Sequence, residues 1–306
     1  MQRRSSVGGR PRPGQSEMAG LVLLVVCMLI GTSAAERGQT TSERPLPDAG
    51  AFVAEVKARL QTDRALQSQY TFLERREEIE VSKFGKVKKG ALKEYEVYPS
   101  LIPGNTYKRL IKVDGRPLDP AELAKNDEKH RKDVLAQMNE SPDARRKRER
   151  DNAKLRAEER QVMDEIFQIY DIRVVGRELL NGAPAIVAAL EPRPKYEPKT
   201  DDGKVMKKFR VRAWVNESDY QVAKIDAEAT GDLTLGWGLI GRLHKGSRAT
   251  IERTKVNDEV WLPVRLRLVG TGRAVMFRKF AIDSVTQWSD YKKFGVKTDE
   301  EFSQRR

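Results

Sequence analysis

From residue 260 onward, Val260, Leu262, Val264, Leu266 and Leu268 alternate with Trp261, Arg265 and Arg267. Successive side chains of a strand point to opposite faces, so this spacing sets an apolar face on a core and leaves the other to water. The same period of two runs through 70–82, 88–99 and 105–113, and again through 170–180, 183–191, 205–216, 219–230, 247–256 and 273–287. Within 209–215, Phe209, Val211, Ala213 and Val215 share one face, and Arg210, Arg212 and Trp214 the other. The connections are short: glycines at 85, 90, 104 and 115, Asn181-Gly182, and Asn216-Glu217-Ser218-Asp219. Asn-Gly readily takes the two positive-φ positions of a tight hairpin. About ten strands joined this way form an antiparallel sheet.

Two stretches break the period. Between Asp119 and Glu165 there are 12 Lys/Arg, 13 Asp/Glu and no glycine, with prolines only at 120 and 142. Residues 118–168 therefore read as a charged helical arm, one helix or two joined near Ser141-Pro142, since proline is poorly tolerated inside a helix. Its apolar stripe, Leu155, Val162 and Ile166, comes only toward its end, so most of it projects into water or meets something outside the chain. Residues 231–246 are apolar, glycine-rich and aperiodic, and 192–203, with three prolines, read as a loop. Near the start, Asp48 reads as the N-cap of a helix whose Phe52, Val53, Val56, Leu60 and Leu66 make one apolar face. The charged run 74–80 reads as a strand with a solvated face. The class is α+β: an antiparallel sheet, an N-terminal helix and a long charged helical insertion.

The first thirty-five residues hold a basic leader (Arg3, Arg4, Arg10, Arg12), an apolar run from Leu21 to Ile30, and Gly31-Thr32-Ser33-Ala34-Ala35. These are the three parts of a secretory signal peptide, cleaved after Ala35, and they imply an exported, periplasmic protein. A spanning helix needs about 20 apolar residues. The run reaches that length only with its flanks, which leaves an inner-membrane anchor through 19–35 as the alternative. The single cysteine, Cys27, lies inside the run, so a mature chain folds without disulfides. Residues 36–47 read as a linker, 48–294 as one domain bearing the arm at 118–168, and 295–306 as a tail.

With one cysteine and two histidines, His130 and His244, cysteine-based metal sites, disulfide scaffolds and multi-histidine chemistry are excluded. No Gly-x-Ser-x-Gly or His-paired nucleophile is present, and Gly236-Trp237-Gly238 lacks the strand-then-helix context of a dinucleotide loop. The reading is non-enzymatic: no catalytic residue, no cofactor and no metal. The chain carries 58 Lys+Arg against 45 Asp+Glu, formally +13. Its densest basic run, Arg145-Arg146-Lys147-Arg148-Glu149-Arg150, sits among acids without an interleaved aromatic platform. It reads as a solvated helix face, with anionic lipid head groups as the residual contact. Nucleic acid is not an expected partner.

Trp214-Val215 followed by Asp219-Tyr220-Gln221-Val222, then Gly236-Trp237-Gly238-Leu239 and Lys245-Gly246-Ser247, stand in an order that continues with Val260-Trp261-Leu262-Pro263-Val264 and Ser289-Asp290-Tyr291-Lys292-Lys293-Phe294. This order resembles a family of exported bacterial outer-membrane lipoprotein-sorting proteins that share the fold of the periplasmic carrier LolA. The resemblance covers roughly residues 205–294 and extends more loosely back through the hairpin and the arm. It implies a strongly curved, incomplete β-barrel wrapped around helices, with an apolar concavity that in the carrier accepts acyl chains.

A curled sheet has a concave face that needs apolar cover. If the helix at 48–66 leaves space there, a lipid or lipoprotein acyl chain fits it; otherwise the helix and large side chains close the core. Leu233, Leu235, Trp237, Leu239 and Ile240, spaced by glycines, are the candidate lid or mouth, with an ordinary glycine-rich corner as the alternative. The rings of Trp214, Trp261 and Phe280 complete the candidate set. Trp261-Leu262-Pro263 also reads as a structural bulge, because proline cannot donate to the ladder. A second function fits the same sequence: an envelope partner engaged by residues 118–168, with no ligand in the sheet.

Overall fold

The structure is a computed structural model that describes residues 44–60, 66–81, 87–99, 106–235, 241–274 and 279–294. The first helix, α1 (Ala49–Leu60), is capped by Asp48, whose Oδ1 accepts from Ala51 N at 3.0 Å, and it buries Phe52 and Val56. Strands β1 (Tyr70–Val81), β2 (Val87–Tyr98) and β3 (Tyr107–Val113) follow, with the two-residue β4 (Arg116–Pro117) turned back through Asp114-Gly115, both at positive φ.

The charged stretch is two helices, α2 (Pro120–Met138) and α3 (Pro142–Ile169). Each opens on a proline behind an N-cap. Asp119 accepts from Ala121 N at 2.7 Å and Ser141 from Ala144 N at 3.2 Å. The first turn of a helix has no intrahelical partner for its N–H groups, so proline starts a helix there without losing a bond.

Next come β5 (Tyr170–Leu180) and β6 (Ala183–Pro192), joined by Asn181-Gly182 at φ 51° and 81°. The short α4 (Asp201–Met206) precedes β7 (Phe209–Asn216) and β8 (Val222–Ala229). Here the structure corrects the sequence reading, which ran a loop through 203 and a strand from 205. Thr200 caps the helix by accepting from Gly203 N at 2.9 Å, so the chain turns helical before the strand begins. The aperiodic 231–246 contains two three-residue strands, β9 (Leu233–Leu235) and β10 (Gly241–Leu243). The chain ends its sheet with β11 (Arg248–Val256), β12 (Val260–Ala274) and β13 (Lys279–Lys293).

The described strands form an open antiparallel sheet. One part runs β4-β3-β2-β1-β13-β12-β10-β9 with β11 also on β12, and the other runs β5-β6-β7-β8. They meet where β8 lies along β11: Ala229 N donates to Ser247 O and Gly246 N donates to Ala229 O. The two ends, β4 and β5, do not meet, so the sheet is not closed into a barrel. The long β12 serves two partners. Its first ten residues pair with β11 and Gly272–Ala274 pair with β10. The register slips opposite Glu252/Arg253, next to Pro263, as a residue without an N–H requires.

One face of the sheet holds the core, and two helices share it. Phe52 and Val56 of α1, with Val162, Ile166 and Ile169 of α3, cluster with Ile186, Val211, Val215, Ile225, Ile251, Leu266 and Trp288. The end of the arm thus supplies the inner cover that α1 alone could not. On that end, the buried Glu165 carboxylate accepts from Tyr196 Oη at 3.1 Å, Thr200 N at 3.1 Å, Thr200 Oγ1 and Lys199 N. Burial pushes this carboxyl up, but those hydrogen bonds outweigh it and hold the group below the usual range. They fix the 193–200 loop onto α3.

Candidate functional site

Pairing registers sort every residue onto the inner, core-bearing face or the outer one, because cross-strand partners share a face. Trp288, a core residue, pairs with Glu74, and Thr286 with Arg76. Glu74 pairs in turn with Tyr95 and Arg76 with Lys93. The inner face of β1–β3 is therefore charged. The sequence reading of 74–80 as a strand with a solvated face holds on the outer parity, where Arg75 and Ile79 are exposed, while the inner parity is charged as well and buries Glu74 to 3% exposure.

Lys108 Nζ reaches Glu74 Oε2 at 2.7 Å and Trp288 Nε1 donates to the same oxygen at 3.2 Å. The other oxygen, Oε1, is buried and accepts no hydrogen bond; Arg76 Nη1 stands 3.5 Å away. Arg76 Nε donates to Glu78 Oε1 at 3.0 Å and its guanidinium lies 5.1 Å over the Tyr95 ring. Tyr95 Oη donates to Glu78 at 3.3 Å, and burial pushes that phenol up. Lys93 Nζ lies 3.7 Å from Glu78. Only the parity of β1 set against Trp288, 214 residues away, reveals this basin. Nothing local in a strand charged on both parities could have found it.

Farther along β12 and β13 the inner face turns apolar. Leu233 pairs with Leu243, Leu243 with Gly272, and Gly272 with Phe280, one row across β9, β10, β12 and β13. A Cβ on Gly272 would stand 2.4 Å from Phe280 Cζ and from Arg242 O, so the Phe280 ring lies against bare backbone. One row nearer the core, Gly270 pairs with Ile282, and its missing Cβ makes room for Ser247 and Leu243. Phe280, Ile282 and Leu243 are half-buried and belong to no buried cluster that α1 or α3 covers.

Two of the expected site residues, Leu233 and Phe280, lie in one cross-strand row but three strands apart. Leu235 ends β9 opposite Gly241, while Trp237, Leu239 and Ile240 lie outside the described residues. Trp214 sits on the outer face, its Nε1 donating to Glu178 Oε2 at 2.7 Å between the cations of Arg212 and Lys224. The parity that put it beside Arg210 and Arg212 excludes it from the concavity. Trp261 is buried, and its Nε1 donates to Asp219 Oδ2 at 2.9 Å beside the Pro263 slip. A recess of about 500 Å³ opens near Gly270. Its lining includes Val269, Thr271, Ala281 and Asp283, which occupy outer-face positions of β12 and β13.

The arm leaves the sheet on the outer side. Arg109, paired with Glu96 there, holds Asp127 of α2 through Nε at 2.9 Å and Nη2 at 3.0 Å. Tyr107 Oη donates to Asp127 at 2.6 Å, and His130 stacks on the Tyr107 ring at 4.0 Å. The arm exposes Leu135, Met138 and Leu155. Among the described residues no group of His, Cys, Asp and Glu is arranged to hold a metal, and no helix is long and apolar enough to cross a membrane.

No protein family matches this chain and no curated protein matches it. The chain is similar to solved structures of low identity. An outer membrane lipoprotein-sorting protein domain from Vibrio parahaemolyticus is 8% identical at TM-score 0.30, over 84% of this chain and 97% of that one. A LolA superfamily protein from Nitrosomonas europaea is 13% identical at TM-score 0.28, over 82% and 96%. In the Pseudomonas aeruginosa MucA/MucB complex the matched chain is 12% identical at TM-score 0.25, over 83% and 96%. Similarities this distant carry no argument about ligands, and the proposals below rest on this chain's own geometry.

Proposed function

We propose that this chain is an exported, non-catalytic binding protein of the cell envelope that holds the acyl chain of a lipid or lipoprotein against the inner face of β12 and β13. The observation that carries the reading is the half-buried apolar row Leu243–Gly272–Phe280 with Ile282, beyond the reach of α1 and α3. Burying each CH₂ of a chain there contributes about 0.8 kcal/mol, enough for useful affinity without any reacting group. The leader at 1–35 supports the periplasmic address.

The test is native mass spectrometry and solvent extraction of the protein purified without residues 1–35, with displacement of a fluorescent fatty acid as the affinity readout. Co-purifying lipid and saturable displacement are expected, and Ile282→Glu weakens the probe at least tenfold. A lipid-free protein that ignores the probe overturns the reading.

A second reading, an envelope protein partner for the arm, is favoured by Leu135, Met138 and Leu155, which stand exposed on α2 and the outer part of α3. It predicts that cross-linking in intact envelopes through residue 135 or 155 traps a partner.

A further inference from the structure

We infer that the charged basin on the inner face of β1–β3 is the headgroup site of an amphiphile whose chain lies on the Phe280–Ile282 row. The ligand is an anionic amphiphile with a phosphate or carboxylate at its head. This inference rests on the acyl-chain reading above and names the ligand class for it.

Geometry joins the two regions. Inner-face positions of β13 run Phe280, Ile282, Ser284, Thr286, Trp288, so side chains pass from apolar to polar along a single strand, with Ser284 buried between the partly exposed Ile282 and Thr286. At a rise of about 3.4 Å per residue, the four steps from Ile282 to Thr286 cover roughly 13–14 Å. Thr286 pairs with Arg76 and Trp288 with Glu74. A molecule lying along β13 with its chain on Ile282 therefore puts its head at Arg76, Lys93 and Lys108.

The basin's charges specify that head. Arg76, Lys93 and Lys108 face two carboxylates, Glu74 and Glu78, so the basin is formally +1. Each cation keeps about a third of its side chain exposed, at 32%, 34% and 37%. A lysine ammonium has three donors, and the bond to Glu74 uses one of those on Lys108. Open donors around a positive centre fit an anion.

Titration calorimetry on the protein without residues 1–35 tests this with three soluble probes: short-chain lysophosphatidylglycerol, monoacylglycerol with the same single chain, and glycerol 3-phosphate. Lysophosphatidylglycerol is expected to bind about tenfold tighter than monoacylglycerol, with glycerol 3-phosphate weaker than both. Lys93→Gln, a change at a partly exposed side chain, removes most of that advantage and leaves monoacylglycerol affinity unchanged. If the two lipids bind equally and Lys93→Gln alters neither, the headgroup site is wrong while the acyl-chain reading stands. If glycerol 3-phosphate binds as tightly as the lipid, the basin is a free-anion site and the inference is overturned. If neither lipid binds, the acyl-chain reading itself fails.

Discussion

Asp226 is the side chain whose setting most opposes its charge. It lies half-buried on the outer face of β8, opposite Arg212, and burial pushes its carboxyl up to about 6 against the pull of Arg248 and Lys224. A carboxyl raised in the folded state binds its proton more tightly there than in the unfolded chain, whose value stays at 3.8. Its contribution to stability is then fully present below pH 3.8 and is lost as pH rises through about 6. Asp226→Asn should melt with the parent near pH 3.5 and above it at pH 7.5. The gain is on the order of 1 kcal/mol once solvent screening of a half-exposed group is allowed for. Paired thermal melts across pH 3.5–7.5 read the difference directly, and a gap that does not grow with pH would sink the assignment. Glu165 shows the opposite solution to the same problem, since four donors on one carboxylate keep its charge inside.

At the scale of elements, α2 is held by its ends and one cluster rather than by a core, since it buries no residue. Hydrogen bonds from Arg109 and Tyr107 hold the Asp127 carboxyl below its usual range. A depressed carboxyl stabilises above its unfolded value and loses that contribution as pH falls through the folded one, so the Asp127 contribution to docking α2 is complete above pH 3.8 and is lost only as pH falls further, through the lower folded value. Asp127→Ala should raise amide exchange across 120–138 by tenfold or more at pH 7, leaving 162–169 and the sheet protected. Unchanged exchange in α2 would show that the cluster does not dock it.

Which elements the sequence disclosed follows the same physics. Period two found most of the long strands because they have one wet and one dry face; β6, buried on both from Ala185 to Ala188, was legible through its Asn181-Gly182 hairpin. Period two missed β9 and β10, which are three residues long and too short to show a period. It also missed α4, whose cap Thr200 sits in a proline-rich stretch. Of the candidate row, the sequence reading names Leu233 among the glycine-spaced apolar residues and Phe280 as a ring, and does not name Leu243 or Ile282. The Glu74 basin was not legible, because its face is decided by a partner strand at the far end of the chain.

That long separation shapes the whole molecule. Tyr70 pairs with Lys293, and Phe294 N donates to Gln69 O at 2.6 Å, so the first and last strands are neighbours in the middle of the sheet. In contrast, β5 to β8 is a run of sequential neighbours, closed by the Asn181-Gly182 hairpin and packed on α1 and α3. Closing a longer loop has a larger entropic cost before any contact repays it. The β5–β8 half should therefore form first, with β1–β13 pairing the late step that also completes the Glu74 basin, since Trp288 and Lys108 reach that carboxylate only from β13 and β3. Pulse-labelled hydrogen exchange during refolding should protect the amides of 185–190 and 211–215 before those of 73–76 and 286–289. Ending the chain at Ala274 should remove the strand that joins β1 to β12, leaving β1 on β2 and β12 on β11 and β10, and abolish cooperative unfolding, whereas ending it at Phe294 should not. Simultaneous protection of both sets would mean that the two parts of the sheet fold as one unit. The late pairing of β1 with β13 would then be wrong.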